Sequence, residues 1–77
     1  MTDVLFPVMS RSDPAAVGVL STWFVADGEV VTADQLVAEV QMDKVDLEVT
    51  APAAGTIRLA VAEGEEVTQG APIAVIG

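Results

Sequence analysis

Cysteine, histidine and tyrosine are all absent from these 77 residues. Without cysteine there is no disulfide to hold a small fold together, and no thiolate to serve as nucleophile or metal ligand. Without histidine the commonest general base and metal ligand is gone. The acids show no spacing that suggests a paired-carboxylate site, so independent catalysis is not expected. Basic residues are scarce too: three Lys and Arg stand against twelve Asp and Glu, for a formal net charge of −9. Phosphates and anionic membrane surfaces would be repelled by such a chain, which argues against nucleic acid and membrane partners and favours a partner with a basic face. No apolar run approaches the roughly 20 residues of a membrane span. The start, Met1-Thr2-Asp3-Val4, has neither the basic and apolar stretches of a signal peptide nor the Arg-rich character of a transit peptide, which predicts a cytoplasmic protein.

What the chain does have is a core: 52% of its residues are hydrophobic, mostly Val and Ala, with Phe6, Trp23 and Phe24 as the aromatics. The length predicts one domain over residues 1–77. The apolar pattern has period two. Val45, Leu47 and Val49 alternate with Asp46, Glu48 and Thr50; Leu36, Ala38 and Val40 with Val37, Glu39 and Gln41; Ile57, Leu59 and Val61 with Arg58, Ala60 and Ala62. Val19 to Val25 is apolar on both faces at its Trp23-Phe24 end and reads as a central strand, with Trp23 in the core and Phe24 on the opposite face. Breakers recur between these segments, at Pro7, Pro14, Gly18, Asp27-Gly28, Pro52, Gly55, Glu63-Gly64, Gly70 and Pro72. Short strands and frequent turns predict an all-β sandwich or barrel.

The chain also repeats itself. Val25-Ala26-Asp27-Gly28-Glu29-Val30-Val31-Thr32 matches Val61-Ala62-Glu63-Gly64-Glu65-Glu66-Val67-Thr68 at an offset of 64 − 28 = 36 residues. Gly18 precedes Gly28 by ten residues and Gly55 precedes Gly64 by nine, so the halves differ by one residue there, which suggests a bulge or a shortened turn. Two halves this short bury their faces only against each other. The midpoint of the repeat is where the single lysine falls. Val40-Gln41 and Asp46-Leu47 are expected to pair antiparallel, leaving Met42-Asp43-Lys44-Val45 as the turn, with Met42 exposed and Lys44 projecting into water. A lone turn lysine is ordinarily a solvated charge; the motif around Lys44 and the repeat are what single this one out.

Those residues carry a family resemblance. The Asp43-Lys44 pair, the stretch Glu39 to Val49, Trp23 after Gly18, and the paired Gly28 and Gly64 turns together resemble a lipoyl domain, the carrier module of 2-oxoacid dehydrogenase complexes, over nearly the whole chain. The resemblance implies a flattened barrel or sandwich of two antiparallel sheets with an internal pseudo-two-fold repeat, a barrel-sandwich hybrid. It implies lipoic acid attached to Lys44 through an amide, with a lipoate ligase reading Asp43, Met42 and Val45. It also implies a carrier that does not itself catalyse. Acyl groups would come from a thiamin-dependent 2-oxoacid decarboxylase and pass to an acyltransferase catalytic domain, and a dihydrolipoyl dehydrogenase would restore the disulfide, with all three activities in other domains or chains. A tethered arm raises the effective concentration of the cofactor at each site. The Asp43-Lys44-Val45 and Leu47-Glu48-Val49 segments are most like carriers of the 2-oxoglutarate complex. Two departures stand out. Gln41-Met42 replaces the family's more usual Glu-Thr, and the segment Pro7 to Val17 lacks the family's Gly-Glu and runs longer. In the family that segment lies beside the lipoyl hairpin and contributes to recognition by the decarboxylase.

Two readings compete with this one. A biotinyl domain of a carboxylase has the same fold but sets its lysine between two methionines; here the neighbours are Asp43 and Val45. An unmodified adaptor domain of the same fold would leave Lys44 bare.

Overall fold

The computed structural model describes all 77 residues and contains eight β-strands and no helix. They are β1 (Thr2–Leu5), β2 (Val17–Trp23), β3 (Val30–Val31), β4 (Leu36–Met42), β5 (Val45–Thr50), β6 (Gly55–Leu59), β7 (Glu66–Thr68) and β8 (Pro72–Ile76). They form two antiparallel four-stranded sheets, ordered β1-β8-β6-β3 and β5-β4-β2-β7. The inward faces enclose one cluster of sixteen buried apolar residues, with Phe6, Leu20, Ile57 and Ile73 as its largest fully buried members. The molecule is elongated, 34 × 20 × 18 Å.

The sequence repeat is a structural one. Gly28 and Gly64 adopt φ of 87° and 85°, the left-handed conformation in which a side chain is strained. In each turn the backbone N–H of Ala26 or Ala62 donates to the carboxylate of Glu29 or Glu65, at 3.1 and 2.8 Å. Gly28 N–H donates to Ile57 O at 2.8 Å, and Gly64 N–H donates to Leu20 O at 2.7 Å. Ile57 and Leu20 are thus equivalent at an offset of 57 − 20 = 37, one more than the turns themselves. The extra residue of the first half is a bulge: the β2–β4 register shifts between Leu20 and Thr22. The two sheets exchange under this pseudo-symmetry, β5-β4-β2-β7 onto β1-β8-β6-β3. The counterpart of the β4–β5 turn is therefore the place where the chain begins and ends, with Thr2 paired to Ile76.

Two strands depart from simple alternation. Leu36 is expected inside but is exposed, while Val37 is fully buried. A register shift between Leu36 and Ala38 supplies the reason, since one extra residue reverses which side chain faces in. Phe24, expected to cover the opposite face of its sheet, lies just past the end of β2 and is half exposed. Trp23 packs partly buried against the core, with its indole N–H donating to Val61 O at 3.0 Å. β2 is central in its sheet, as its two-sided apolar character predicts.

Candidate functional site: the Lys44 hairpin

β4 and β5 pair as Val40 with Leu47, Gln41 with Asp46 and Met42 with Val45, leaving Asp43-Lys44 as a two-residue loop. Both loop residues have positive φ, 51° at Asp43 and 65° at Lys44, the signature of a type I′ turn. Such a turn matches the right-handed twist of its strands and so makes a stiff hairpin. Asn-Gly would adopt it with little strain. A lysine in the left-handed region costs about 1 kcal/mol, which the pairing on both sides sustains. Asp43, Lys44 and Val45 are all exposed.

Met42 behaves otherwise. It was expected at the surface of the turn, but only 5% of it is accessible. The alternation that buries Ala38 and Val40 continues through Met42 because pairing persists to the Met42–Val45 step. The side chains exposed at the tip are therefore Asp43, Lys44 and Val45, while the Met42 side chain faces the core. Val45 departs from its expected burial in the opposite sense: it is 50% exposed, Leu47 partly buried and Val49 6% exposed, so β5 leaves the core progressively towards the tip. Glu39 sits directly opposite Glu48, and Gln41 opposite Asp46, on the outer face of the same hairpin.

A residue that sequence reasoning missed helps shape this end of the molecule. Gln69, just after β7, is 7% exposed and is the buried polar residue of the structure. Its carboxamide binds the backbone of the Pro7–Ala16 segment through Met9, Ser10 and Asp13. The signal was a break in the repeat: 69 − 36 = 33, and the first half has Ala33 at the matching position.

No pocket indents the surface and no group of acids is placed to hold a metal ion. What the site offers is an accessible primary amine on a rigid hairpin. An exposed amine of this kind is open to acylation.

Comparison with known proteins agrees with this geometry. A family model described as "Biotin-requiring enzyme" matches residues 6–76. The chain is 40% identical over 77 residues to the dihydrolipoyllysine-residue acetyltransferase component of the pyruvate dehydrogenase complex of Corynebacterium glutamicum, covering 99% of this chain and 11% of that protein. It is 43% identical over 60 residues to a probable dihydrolipoyllysine-residue succinyltransferase component of the mitochondrial 2-oxoglutarate dehydrogenase complex of Schizosaccharomyces pombe, covering 77% of this chain and 13% of that protein. The chain thus spans a small fraction of these relatives' length. The solution structure of the lipoyl domain of the 2-oxoglutarate dehydrogenase complex of Azotobacter vinelandii superposes with a TM-score of 0.79 at 32% identity, covering all of this chain and 96% of that one.

Proposed function

The chain belongs to the biotinyl/lipoyl attachment family, and from that premise we propose that it is a lipoyl carrier domain with lipoate joined by an amide to Lys44. The observation that carries this reading is the type I′ turn, which sets the exposed lysine at the tip of a paired hairpin. A ligase would supply lipoate as an activated acid. The Lys44 Nζ attacks its carbonyl, the amide bond forms as the activating group leaves, and the amine gives up its proton. Lipoate, when bound, supplies the acyl-carrying and redox chemistry. The protein supplies position: a stiff support, a tip free of obstruction, and no pocket of its own to retain the arm.

Lipoate is favoured over biotin by the Asp43 and Val45 neighbours and by the names of the relatives. The partners of the proposal are a lipoate ligase, a thiamin-dependent 2-oxoacid decarboxylase, an acyltransferase catalytic domain and a dihydrolipoyl dehydrogenase. The acidic outer face of the hairpin, with Glu39, Asp46 and Glu48, supports basic docking surfaces on them. Co-expression with a lipoate ligase in lipoate-containing medium, followed by intact mass, tests the assignment. The parent gains one lipoyl group and Lys44→Arg gains none. A biotin adduct would establish the biotinyl reading instead, and an unmodified parent would establish the adaptor reading.

A further inference from the structure

Asp27 and Gly28 are two neighbours that can react with each other. The Gly28 nitrogen can attack the carboxyl carbon of the Asp27 side chain, closing a five-membered imide with loss of one water. Water then opens the ring at either carbonyl. One opening restores aspartate; the other leaves isoaspartate, with the main chain running through the former side chain. Glycine favours the attack because no Cβ crowds its nitrogen. Of the six aspartates, only Asp27 is followed by glycine. Asp13 precedes a proline, which has no N–H, and the others precede residues with a side chain. The chain has no asparagine, the other residue that forms this imide.

The fold keeps the two reacting groups apart. Glu29 N–H donates to Ala26 O at 3.1 Å, and Gly28 has positive φ while Asp27 does not, so Ala26 to Glu29 form a type II turn. Such a turn sets ψ of its first central residue at about +120°. Ring closure needs the Gly28 nitrogen eclipsed with Asp27 Cβ, a rotation of about 120° around the Cα–C bond. That rotation would turn the Gly28 amide out of its 2.8 Å bond to Ile57 O. The carboxyl is held as well, since Asp27 Oδ1 accepts from Leu59 N–H at 2.9 Å. Nucleophile and electrophile are thus both bound to β6. Water is not what is withheld, because Asp27 and Gly28 are exposed.

The repeat supplies a comparison within the molecule. Gly64 has φ of 85°, Glu65 N–H donates to Ala62 O at 3.1 Å and Gly64 N–H to Leu20 O at 2.7 Å, so the second turn has the same geometry. Glu63 stands where Asp27 stands in the first. Its extra methylene would demand a six-membered ring and the fixing of one more torsion.

We propose that Asp27-Gly28 is a site of isoaspartate formation, suppressed in the folded domain by the type II turn and its bonds to β6, and released when the contact between the halves opens. The reaction proceeds from the open turn, at a rate set by the opening equilibrium. Its product adds a methylene to the main chain and moves the carboxylate onto Cα, so Leu59 N–H loses its acceptor. The chemistry is independent of Lys44 and of what it carries.

The test holds the purified protein at neutral pH and fixed temperature, either folded or in urea beyond its unfolding midpoint. Isoaspartate is located by peptide mass mapping with an endoproteinase that cuts before aspartate and not before isoaspartate. In urea, Asp27 should isomerise while Glu63 does not. In the folded protein the rate should be at least about tenfold lower, the factor given by an opening free energy of about 1.4 kcal/mol. Asp27→Glu should remove the site, and Glu63→Asp should create a second one that reacts like the first in urea and is suppressed likewise on folding. In urea below the midpoint, isoaspartate formation should rise in step with hydrogen exchange of the Gly28 amide. No isoaspartate at Asp27 in urea, or comparable amounts at Asp3, Asp34, Asp43 or Asp46, would overturn the site. Equal rates in folded and unfolded protein, or a rate that stays flat while the Gly28 amide exchanges faster, would overturn its suppression by the fold.

Discussion

The Glu63 carboxylate accepts the backbone N–H of Trp23 at 2.8 Å, across 40 residues of sequence. Its pseudo-symmetric mate does the same in reverse: Asp27 accepts the N–H of Leu59 at 2.9 Å. Both acid and amide pairs are related by 36 residues, since 63 − 27 = 36 and 59 − 23 = 36. Each half's glycine turn therefore caps a strand of the other half, and the two halves are tied by reciprocal bonds as well as by their shared core.

Removing either cap should loosen the domain in the same way. Asp27→Ala and Glu63→Ala are each expected to cost about 1 kcal/mol, the worth of one hydrogen bond to a charged acceptor at an exposed site. In a domain of this size that lowers the melting temperature by roughly 4–8 °C. Thermal melts followed by circular dichroism would show it. Two variants that melt with the parent would rule out the crosswise caps as stabilising contacts.

Glycines 18 and 64 should respond for different reasons. A Cβ on Gly18 would strike the Phe6 ring and come within 2.7 Å of Gln41 O, whereas around Gly64 nothing lies within 4 Å and only the φ of 85° resists a side chain. Gly18→Ala is expected to destabilise by about 3 kcal/mol through overpacking, and Gly64→Ala by about 1 kcal/mol through backbone strain. Urea midpoints give the order; the reverse order would show that backbone strain outweighs packing here.

The conformation of the turn, more than the identity of Asp43, should govern presentation of the lysine. Asp43→Asn is expected to be modified as readily as the parent, because Asn accepts the left-handed region easily. Asp43→Pro cannot reach φ of 51° and should abolish the two-residue turn. The ligase should then modify Lys44 at least about 100-fold more slowly, the scale of loss from a small misplacement of a reacting group. Rates are read by intact mass at fixed ligase concentration. Normal modification of the proline variant would mean that the ligase reads an extended segment.

Met42 should matter to stability and little to modification. Met42→Ala removes a buried side chain, with an expected cost of about 2–3 kcal/mol. At a temperature where the variant stays folded, its rate of lipoylation should match the parent. A selective loss of modification in fully folded protein would show that the ligase reads the side chain after all.

Much of the fold was legible in the sequence because its signals are local. Period-two alternation at Val45 to Thr50 and at Ile57 to Leu59 marked strands, and the match between the Gly28 and Gly64 turns marked two halves. The ten-against-nine spacing of the glycines left a bulge or a shortened turn open, and the register shift near Leu20 shows which it is. The departures came where one residue changes parity. Leu36 and Val37 exchanged places at a bulge that no residue type declares, and Met42 turned inward because pairing ran one step further than a four-residue turn allows.

The sequence by itself determined the β class, the two-fold repeat and the candidacy of Lys44, since spacing and residue type suffice for each. Tertiary structure decided what faces what. It set both turn residues at positive φ, buried Met42 beneath an exposed Lys44, and brought Gln69 onto Met9, Ser10 and Asp13 from 56 to 60 residues away. Those relations depend on strand register and on hydrogen bonds between distant segments. A register is fixed only when both sheets close on the core, so no local pattern could have carried it.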